Sequence, residues 1–194
     1  MYLKRISIML ACIFVLNLYG CRTAMDVSET VAEKYQSEIE AEVLVSTRTG
    51  VPCDYRLRCT VGAENSVIEI LQPVCIQGIK AAIESDTCRI EYEDVALDAM
   101  MLPIRGMTPA DCFDQTVLSL RKDIPIRYSY EKKEGKDCLS LTFSEETAGY
   151  QVTRILWLDA KSLDLLEGEY YLDNTLIMQM CVEVFAFTAR TESE

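Results

Sequence analysis

The sequence predicts a mainly β fold (α+β), in which about ten antiparallel strands form two groups with one amphipathic helix between them. Short segments that alternate apolar and polar residues recur at intervals of roughly ten residues, which is typical of an antiparallel sheet. Gly, Asn and Asp residues, which favour turns, separate many of these segments. One stretch near the middle of the chain has helical periodicity instead.

The first residues have the three parts of an export signal. Lys4 and Arg5 give a positive start, residues 6–18 are almost entirely apolar, and the small residue Gly20 precedes a cysteine. The apolar run is shorter than the roughly 20 residues that a membrane-spanning helix needs. We therefore interpret residues 1–20 as a signal peptide and expect the protein to be exported.

The segment Leu18-Tyr19-Gly20-Cys21 resembles the lipobox of bacterial lipoproteins. The resemblance implies that the Cys21 thiol receives a diacylglycerol lipid, which anchors the mature chain to the cell envelope, facing outside the cytoplasm. Residues 21–34 would then be a tether with a short helix, 35–188 a single domain and 189–194 a tail. The alternative is an ordinary secretory signal in which Cys21 is incidental.

The charge and the lack of histidine exclude several classes of function. The chain has 19 basic and 31 acidic residues, a net charge of −12, and removal of Lys4 and Arg5 with the signal makes the mature chain more negative still. Such a surface repels nucleic acids and anionic lipid headgroups, so we expect no nucleic-acid partner. Without histidine, Ser-His-Asp and Cys-His catalysis and His-ligated metal sites are excluded.

Seven cysteines remain when the signal and Cys21 are set aside, and they allow three interpretations. Because seven is odd, not all can form disulfides within one chain, and no two are separated by only two residues as in zinc ribbons. They are mostly free buried thiols, or form one to three disulfides, or include a thiol-based metal or redox site. The seven are Cys53, Cys59, Cys75, Cys88, Cys112, Cys138 and Cys181.

Five strands are expected in the first half of the chain. Residues 39–45 alternate apolar with mostly acidic side chains, which predicts a strand with one buried face. In the fifth strand, Glu91 and Glu93 share one face, which is more typical of a solvated surface than of acid–base catalysis. Residues 95–106 break the alternation, and we expect a loop with apolar residues to bury. The other four strands are expected at 53–61, 66–74, 78–85 and 88–94.

A helix is predicted between the two groups of strands. Thr108 is placed as its N-cap, Pro109 follows at the first helical position, and Pro125 ends it. Its apolar face is formed by Ala110, Phe113, Val117 and Leu120, with helical spacing. Strands are then expected at 126–130, 138–144, 150–159, 165–174 and 175–187.

This order of elements, with several short motifs, resembles the LolA/LolB-like family of envelope lipoproteins and lipoprotein carriers. Trp157-Leu158-Asp159 and the step around Gly168 resemble the late strands of the family, and YQSEIEAEVLVS resembles its entry into the first strand. The resemblance covers residues 28–188. It implies a strongly curved antiparallel sheet that forms an open half-barrel, with one or two helices across its concave face.

The resemblance also implies a cavity for an acyl chain, because one helix cannot fill a strongly curved sheet. The alternative is that the same residues form an ordinary core. No metal and no cofactor are expected. The candidate lining residues are Phe113, Val117 and Leu120 on the helix, with Tyr55, Leu57, Ile90, Tyr92, Leu141 and Phe143 on strands.

We therefore expect a membrane-anchored lipoprotein, not an enzyme, that binds a hydrophobic or lipidic ligand as a carrier or a sensor. Its partners would be the membrane, reached through the N-terminal lipid, and an acyl chain or a lipoprotein. The first alternative is an envelope structural or protein-interaction lipoprotein with a filled core. The second is an enzyme or redox protein that uses some of the cysteines.

Overall fold

The computed structural model describes residues 24–84, 87–100 and 103–188. The predicted signal peptide, Cys21 and the predicted tail at 189–194 lie outside the described residues. Within the described ranges the two helices are α1 (Ala24–Tyr35) and α2 (Cys112–Lys122), and a short 3-10 turn covers Val74–Ile76. The strands are β1 (Glu38–Thr47), β2 (Asp54–Val61), β3 (Asn65–Gln72), β4 (Lys80–Glu84), β5 (Thr87–Tyr92), β6 (Val95–Met100), β7 (Arg127–Lys133), β8 (Lys136–Thr147), β9 (Tyr150–Asp159), β10 (Leu165–Leu172) and β11 (Thr175–Thr188).

All eleven strands belong to one antiparallel sheet with the order β6-β5-β4-β3-β2-β1-β11-β10-β9-β8-β7. The first six strands and the last five each run as a meander, and β1 pairs with β11 where the two meanders meet. Strands β6 and β7 are the two edges, and among the described residues they do not pair to close the sheet. The predicted mainly β fold, an open half-barrel with helices, is confirmed.

One face of the sheet, here called the inner face, packs against the helices. On β1 this face carries Ile39, Ala41, Val43 and Val45, all of which are buried, while Glu38 and the other glutamates between them are more exposed. Burying such an apolar row contributes about 25 cal/mol per Å² removed from water. The alternation of β1 therefore decides which of its faces turns towards the core.

Helix α1 covers the inner face beside the meeting point of the two meanders. Its residues Val27, Val31 and Tyr35 recur every four positions and are buried, which is the spacing of one helical face. The Tyr35 ring packs edge-on against Phe187, with ring centroids 5.4 Å apart. Its hydroxyl donates a hydrogen bond of 3.0 Å to the Leu163 carbonyl, so the buried polar group has a partner.

The Arg121 side chain joins α2 to the end of α1 and to the first two strands. Its guanidinium donates hydrogen bonds to the carbonyl oxygens of Tyr35 (2.6 Å) and Ser37 (3.0 Å), and to those of Val61 and Gly62. Burial lowers the pKa of Arg121 from its usual value, but the guanidinium stays charged. Four carbonyl partners offset the loss of water around this cation.

The loop prediction for residues 95–106 is wrong in its first half. Val95–Met100 forms strand β6, which pairs with β5 along its whole length. The alternation is hard to read because the outward side of β6 carries the apolar residues Ala96 and Met100, so both sides look apolar. Nor are the inward side chains buried, since Leu97 remains largely exposed.

Helix α2 begins at Cys112, later than the predicted N-cap at Thr108. The Asp111 carboxylate accepts hydrogen bonds from Thr108 N (3.0 Å), Thr108 Oγ1 (2.6 Å) and Gly106 N (2.8 Å). These bonds close a turn before the helix. Thr108 therefore stabilises this turn, and Asp111 occupies the N-cap position of the helix. The helix ends at Lys122, three residues before Pro125.

Candidate functional site: the inner face of the open sheet

The inner face is filled where helix α2 lies on it. Phe113, Val117 and Leu120 on the helix are buried and belong to the same apolar cluster as Leu57 and Leu141 on the sheet. These five predicted lining residues are therefore core residues in this structure. Tyr55 is half-buried and packs against the same cluster, and Phe143 is buried beside a surface cavity.

A buried polar pair holds α2 to the sheet inside this covered region. Thr116 Oγ1 and the Tyr170 hydroxyl share a hydrogen bond of 2.6 Å, and both residues are fully buried. The Tyr170 hydroxyl also lies 3.4 Å from the Cys112 carbonyl. Burial raises the pKa of Tyr170 well above its usual value, so the phenol stays protonated and can donate.

The inner face is uncovered at the hairpin of β5 and β6. Ile90 lies opposite Ala81 on one side and Leu97 on the other, so these three side chains share the inner face. Tyr92 lies opposite Val95 on the same face. Four large apolar side chains on the inner side of this hairpin are exposed, and we call them the open patch: Ile90 (38%), Tyr92 (47%), Val95 (63%) and Leu97 (65%).

The outer side of the same hairpin is charged. Arg89 forms ion pairs with Glu91 (3.0 Å) and Asp98 (3.3 Å), and a cavity of about 500 Å³ lies between β4, β5 and β6 on this side. The turn of the hairpin carries Glu93 and Asp94. The hairpin is thus amphipathic, yet its apolar side is not covered by either helix. The outer edge of β6 pairs with no strand in the described part of the chain.

Sequence reasoning placed Ile90 and Tyr92 beside the helix residues in one cavity, but the structure separates them. The helix residues are in the filled region, whereas Ile90 and Tyr92 lie on the uncovered hairpin. Val95 and Leu97 were missed because their segment was expected to be a loop. At the other edge, Tyr130 on β7 is also exposed, and it lines a smaller cavity of about 180 Å³ next to α1.

A second feature that the sequence analysis missed is a buried arginine. Arg154 on β9 is only 2% exposed, and its Nη2 donates a hydrogen bond of 2.5 Å to the Glu145 carboxylate on β8. Its Nε and Nη1 have no hydrogen-bond partner among the described residues. The sequence does hold a signal: Val152, Arg154, Leu156 and Leu158 alternate along β9, so a charge occupies the apolar side of a strand.

Arg154 lies between a surface cavity and a loop. The cavity, of about 420 Å³, is walled by Arg154, Phe143 and Glu145 and by residues that follow α2. On the other side a Cβ on Gly106 would lie 3.5 Å from Arg154 Nη1 and only 2.8 Å from the Gln115 side chain. Gly106 also has a positive φ of 75°, so this conformation, packed closely against the Gln115 side chain, favours glycine.

The seven described cysteines are free thiols, and the structure does not group them with metal-binding partners. Cys59, Cys112 and Cys138 are buried, and burial raises the pKa of the Cys59 and Cys112 thiols well above the usual range. A thiol that stays protonated is a weak nucleophile. Within residues 24–84, 87–100 and 103–188, no group of three His, Cys, Asp or Glu side chains could hold a metal ion.

None of the helices in the described ranges is long and apolar enough to cross a membrane.

Comparisons with known proteins find similarity of structure only. No protein-family model and no curated protein matches the sequence. An uncharacterized conserved protein from Thermus thermophilus is similar to this chain at 12% identity, over 88% of this chain and 91% of that one, with a TM-score of 0.52. A LolA superfamily protein from Nitrosomonas europaea has 14% identity over 84% and 94%, with a TM-score of 0.42. The lipoprotein LppX from Mycobacterium tuberculosis has 8% identity over 86% and 97%, with a TM-score of 0.45.

At these identities the similarity concerns the arrangement of the chain and not its chemistry. Over the part of the chain that the structure describes, the arrangement is specific: two antiparallel meanders joined through β1 and β11, two open edges, and helices on the inner face. This is the architecture that the sequence resemblance implied. The chain therefore shares its fold, an open antiparallel half-barrel with helices on its inner face, with the Thermus thermophilus protein.

Proposed function

We propose that this chain is a lipid-anchored lipoprotein outside the cytoplasm that binds a hydrophobic ligand on the open patch, and that it is not an enzyme. The observation that carries the proposal is the patch itself, four large apolar side chains on one face of one hairpin, each more than a third exposed. Exposing apolar surface is unfavourable by about 25 cal/mol per Å². Contiguous apolar patches on soluble domains commonly mark binding surfaces.

The shape of the patch favours an elongated apolar ligand. The cross-strand pairs Ile90–Leu97 and Tyr92–Val95 form two neighbouring rows on a sheet, and none of the four side chains is charged. An acyl chain laid along these rows would cover them without having to desolvate a charge. Tyr92 contributes a broad ring and a hydroxyl that can stay in water.

Membrane attachment is the second part of the proposal, and it is supported by the lipobox-like segment that ends at Cys21. The full-length chain, expressed with its own signal in a bacterium fed an alkyne-labelled fatty acid, is expected to carry the label. Cys21→Ser is expected to remove it, because the serine hydroxyl cannot form the thioether. Equal labelling of both proteins would contradict lipid attachment at Cys21.

A second candidate function, an envelope protein that binds another protein, is favoured by two specific observations. The face under α2 is filled by core residues such as Phe113 and Val117, which leaves the hairpin as the uncovered apolar surface there. The outer edge of β6 is unpaired within the described ranges, and such an edge can accept a strand from a partner.

The ligand hypothesis is tested by binding measurements on matched surface variants. The protein from Ala24 onward, exported through a generic signal, would be titrated with a fluorescent fatty acid and analysed by native mass spectrometry for bound lipid. The double variant Ile90→Ser with Leu97→Ser is expected to bind at least about tenfold more weakly, because it removes apolar contact worth roughly 1.5 kcal/mol or more. The control is Val67→Ser with Val184→Ser, which changes two exposed apolar residues on the outer face.

Two outcomes would reject this proposal. One is equal affinity in the patch variant and the outer-face control. The other is an exported protein that carries no lipid and does not respond to the probe. In the second case, a cross-linked protein partner that depends on Leu97 would favour the interaction function instead.

A further inference from the structure

We propose that Arg154 and the cavity beside it form a binding site for an oxyanion, the carboxylate or phosphate group of a ligand. This inference is independent of the open patch, since it rests on other residues. The guanidinium is 2% exposed, and two of its three nitrogens, Nε and Nη1, have no partner among the described residues. A buried donor without an acceptor costs about 1–3 kcal/mol, and more when it is charged.

A comparison with Arg121 shows what a satisfied arginine looks like in this fold. Arg121 directs its nitrogens at four backbone carbonyls, which are neutral, fixed and always present. Among the described residues Arg154 has one hydrogen-bond partner, the Glu145 carboxylate, which accepts from Nη2. The Glu145 side chain is 48% exposed, so it can turn into water and leave its place to another carboxylate or to a phosphate.

The cavity gives an oxyanion access to this arginine from solvent. It has a volume of about 420 Å³, and its wall includes the second cation Lys122 as well as the acidic residues Asp123 and Glu145. Ile124 and Phe143 add apolar wall beside these polar groups, so a short apolar chain attached to the oxyanion also finds contact. The donors here require a ligand that accepts hydrogen bonds, and a planar guanidinium matches carboxylate and phosphate oxygens in pairs.

The loop over Arg154 keeps the guanidinium in place. Gly106 N is held by the Asp111 carboxylate at 2.8 Å, and Arg105 Nη2 lies 3.4 Å from Asp114 on α2. The backbone at Gly106 lies next to Nη1, and glycine is required there by its positive φ and by the close Gln115 side chain on α2. Arg154 thus lines the cavity, and a loop tied to α2 lies beside its Nη1.

The test is a calorimetric titration of the mature, lipid-anchored protein in a nonionic detergent with four probes. These are sodium hexanoate, hexyl phosphate, inorganic phosphate and hexyltrimethylammonium. We expect the anions to bind, the cation not to bind, and added salt to weaken the binding. Tighter binding of the hexyl compounds than of inorganic phosphate indicates a lipid headgroup, while equal binding of the two phosphates indicates free phosphate.

Two variants and a control assign the binding to Arg154. Glu145→Gln removes the competing carboxylate and is expected to tighten anion binding by about tenfold. Arg154→Lys keeps the charge but loses the paired donors, and is expected to weaken binding by about tenfold. Arg58→Met, an exposed arginine on the outer face, is expected to leave affinity unchanged.

Three results would overturn the site. The first is that neither the wild type nor Glu145→Gln binds any of the anions. The second is that Glu145→Gln binds every anion with wild-type affinity. The third is that Arg154→Lys binds as the wild type does. Circular dichroism of both variants establishes which are folded. If Arg154→Lys does not fold, Glu145→Gln still tests the site, because the Glu145 side chain is half-exposed and its substitution is compatible with folding.

Discussion

The covered region of the inner face under α2 and the open region at the hairpin of β5 and β6 are built from strands with the same alternation of apolar and polar residues. On β2, Leu57 and Cys59 alternate with polar residues and are buried under α2. On β5, Ile90 and Tyr92 alternate with polar residues in the same way and remain exposed. The two strands differ in whether a helix covers them. Helices α1 and α2 lie over the central part of the sheet around β1 and leave the hairpin of β5 and β6 open.

An apolar row on a strand therefore determines which face of the sheet its side chains share, but it does not determine whether that face is buried. In the covered half, removing side-chain volume creates a cavity in a packed core. In the open half, the same change removes surface that already meets water.

The largest difference is expected for Phe113→Ala against Ile90→Ala. Phe113 is buried in the core cluster, so its truncation should lower the free energy of unfolding by about 3–5 kcal/mol. Ile90→Ala should lower it by less than about 1 kcal/mol. Urea unfolding followed by the fluorescence of Trp157, the one tryptophan of the chain, measures both. Equal losses would mean that the hairpin is part of the core.

A smaller difference is expected between two arginines. Arg121→Met leaves four carbonyls without their donor and loosens the end of α1, so it should lower the free energy of unfolding by about 1.5–3 kcal/mol. Arg58→Met breaks ion pairs with Glu42 and Glu69 that lie in water, and should leave the unfolding midpoint unchanged. If both variants unfold at the wild-type midpoint, the link between α2 and α1 does not depend on Arg121.

The smallest difference is expected for two tyrosines that each lose a hydroxyl. Tyr170→Phe removes a partner of the buried Thr116 hydroxyl and should lower the free energy of unfolding by about 1 kcal/mol. Tyr92→Phe removes a hydroxyl from the open patch and should change it by less than about 0.5 kcal/mol. Thermal unfolding by circular dichroism separates the two, and a larger loss for Tyr92→Phe would show that the patch is packed.

Much of the fold could be predicted from sequence, because alternation and helical spacing are local properties. The rows 39–45 and Phe113–Val117–Leu120 predicted their buried faces correctly. Strand β6 was missed because Ala96 and Met100 hide its alternation. The candidate site was harder to predict. Leu57 is covered and Ile90 is exposed because of where the two helices pack, and the sequences of β2 and β5 do not contain that information.

The surroundings of Arg154 could likewise be predicted only in part from the sequence. Its place on the apolar side of β9 could be read from the sequence, but not its partners. Glu145 comes from the neighbouring strand, and Gly106 from a loop that precedes α2. Only the paired register of β8 with β9 and the path of that loop bring them together.

The pairing of β1 with β11 also has a consequence for the order of events during biosynthesis. A chain is synthesised from its N-terminus, so β1 emerges early while its partner β11 emerges late. The residues that pair between these two strands are among the most widely separated along the sequence, and contacts of large sequence separation form slowly. The pairing of β1 with β11 can therefore form only after all eleven described strands have emerged, and until then the apolar row of β1 must be kept from other partners.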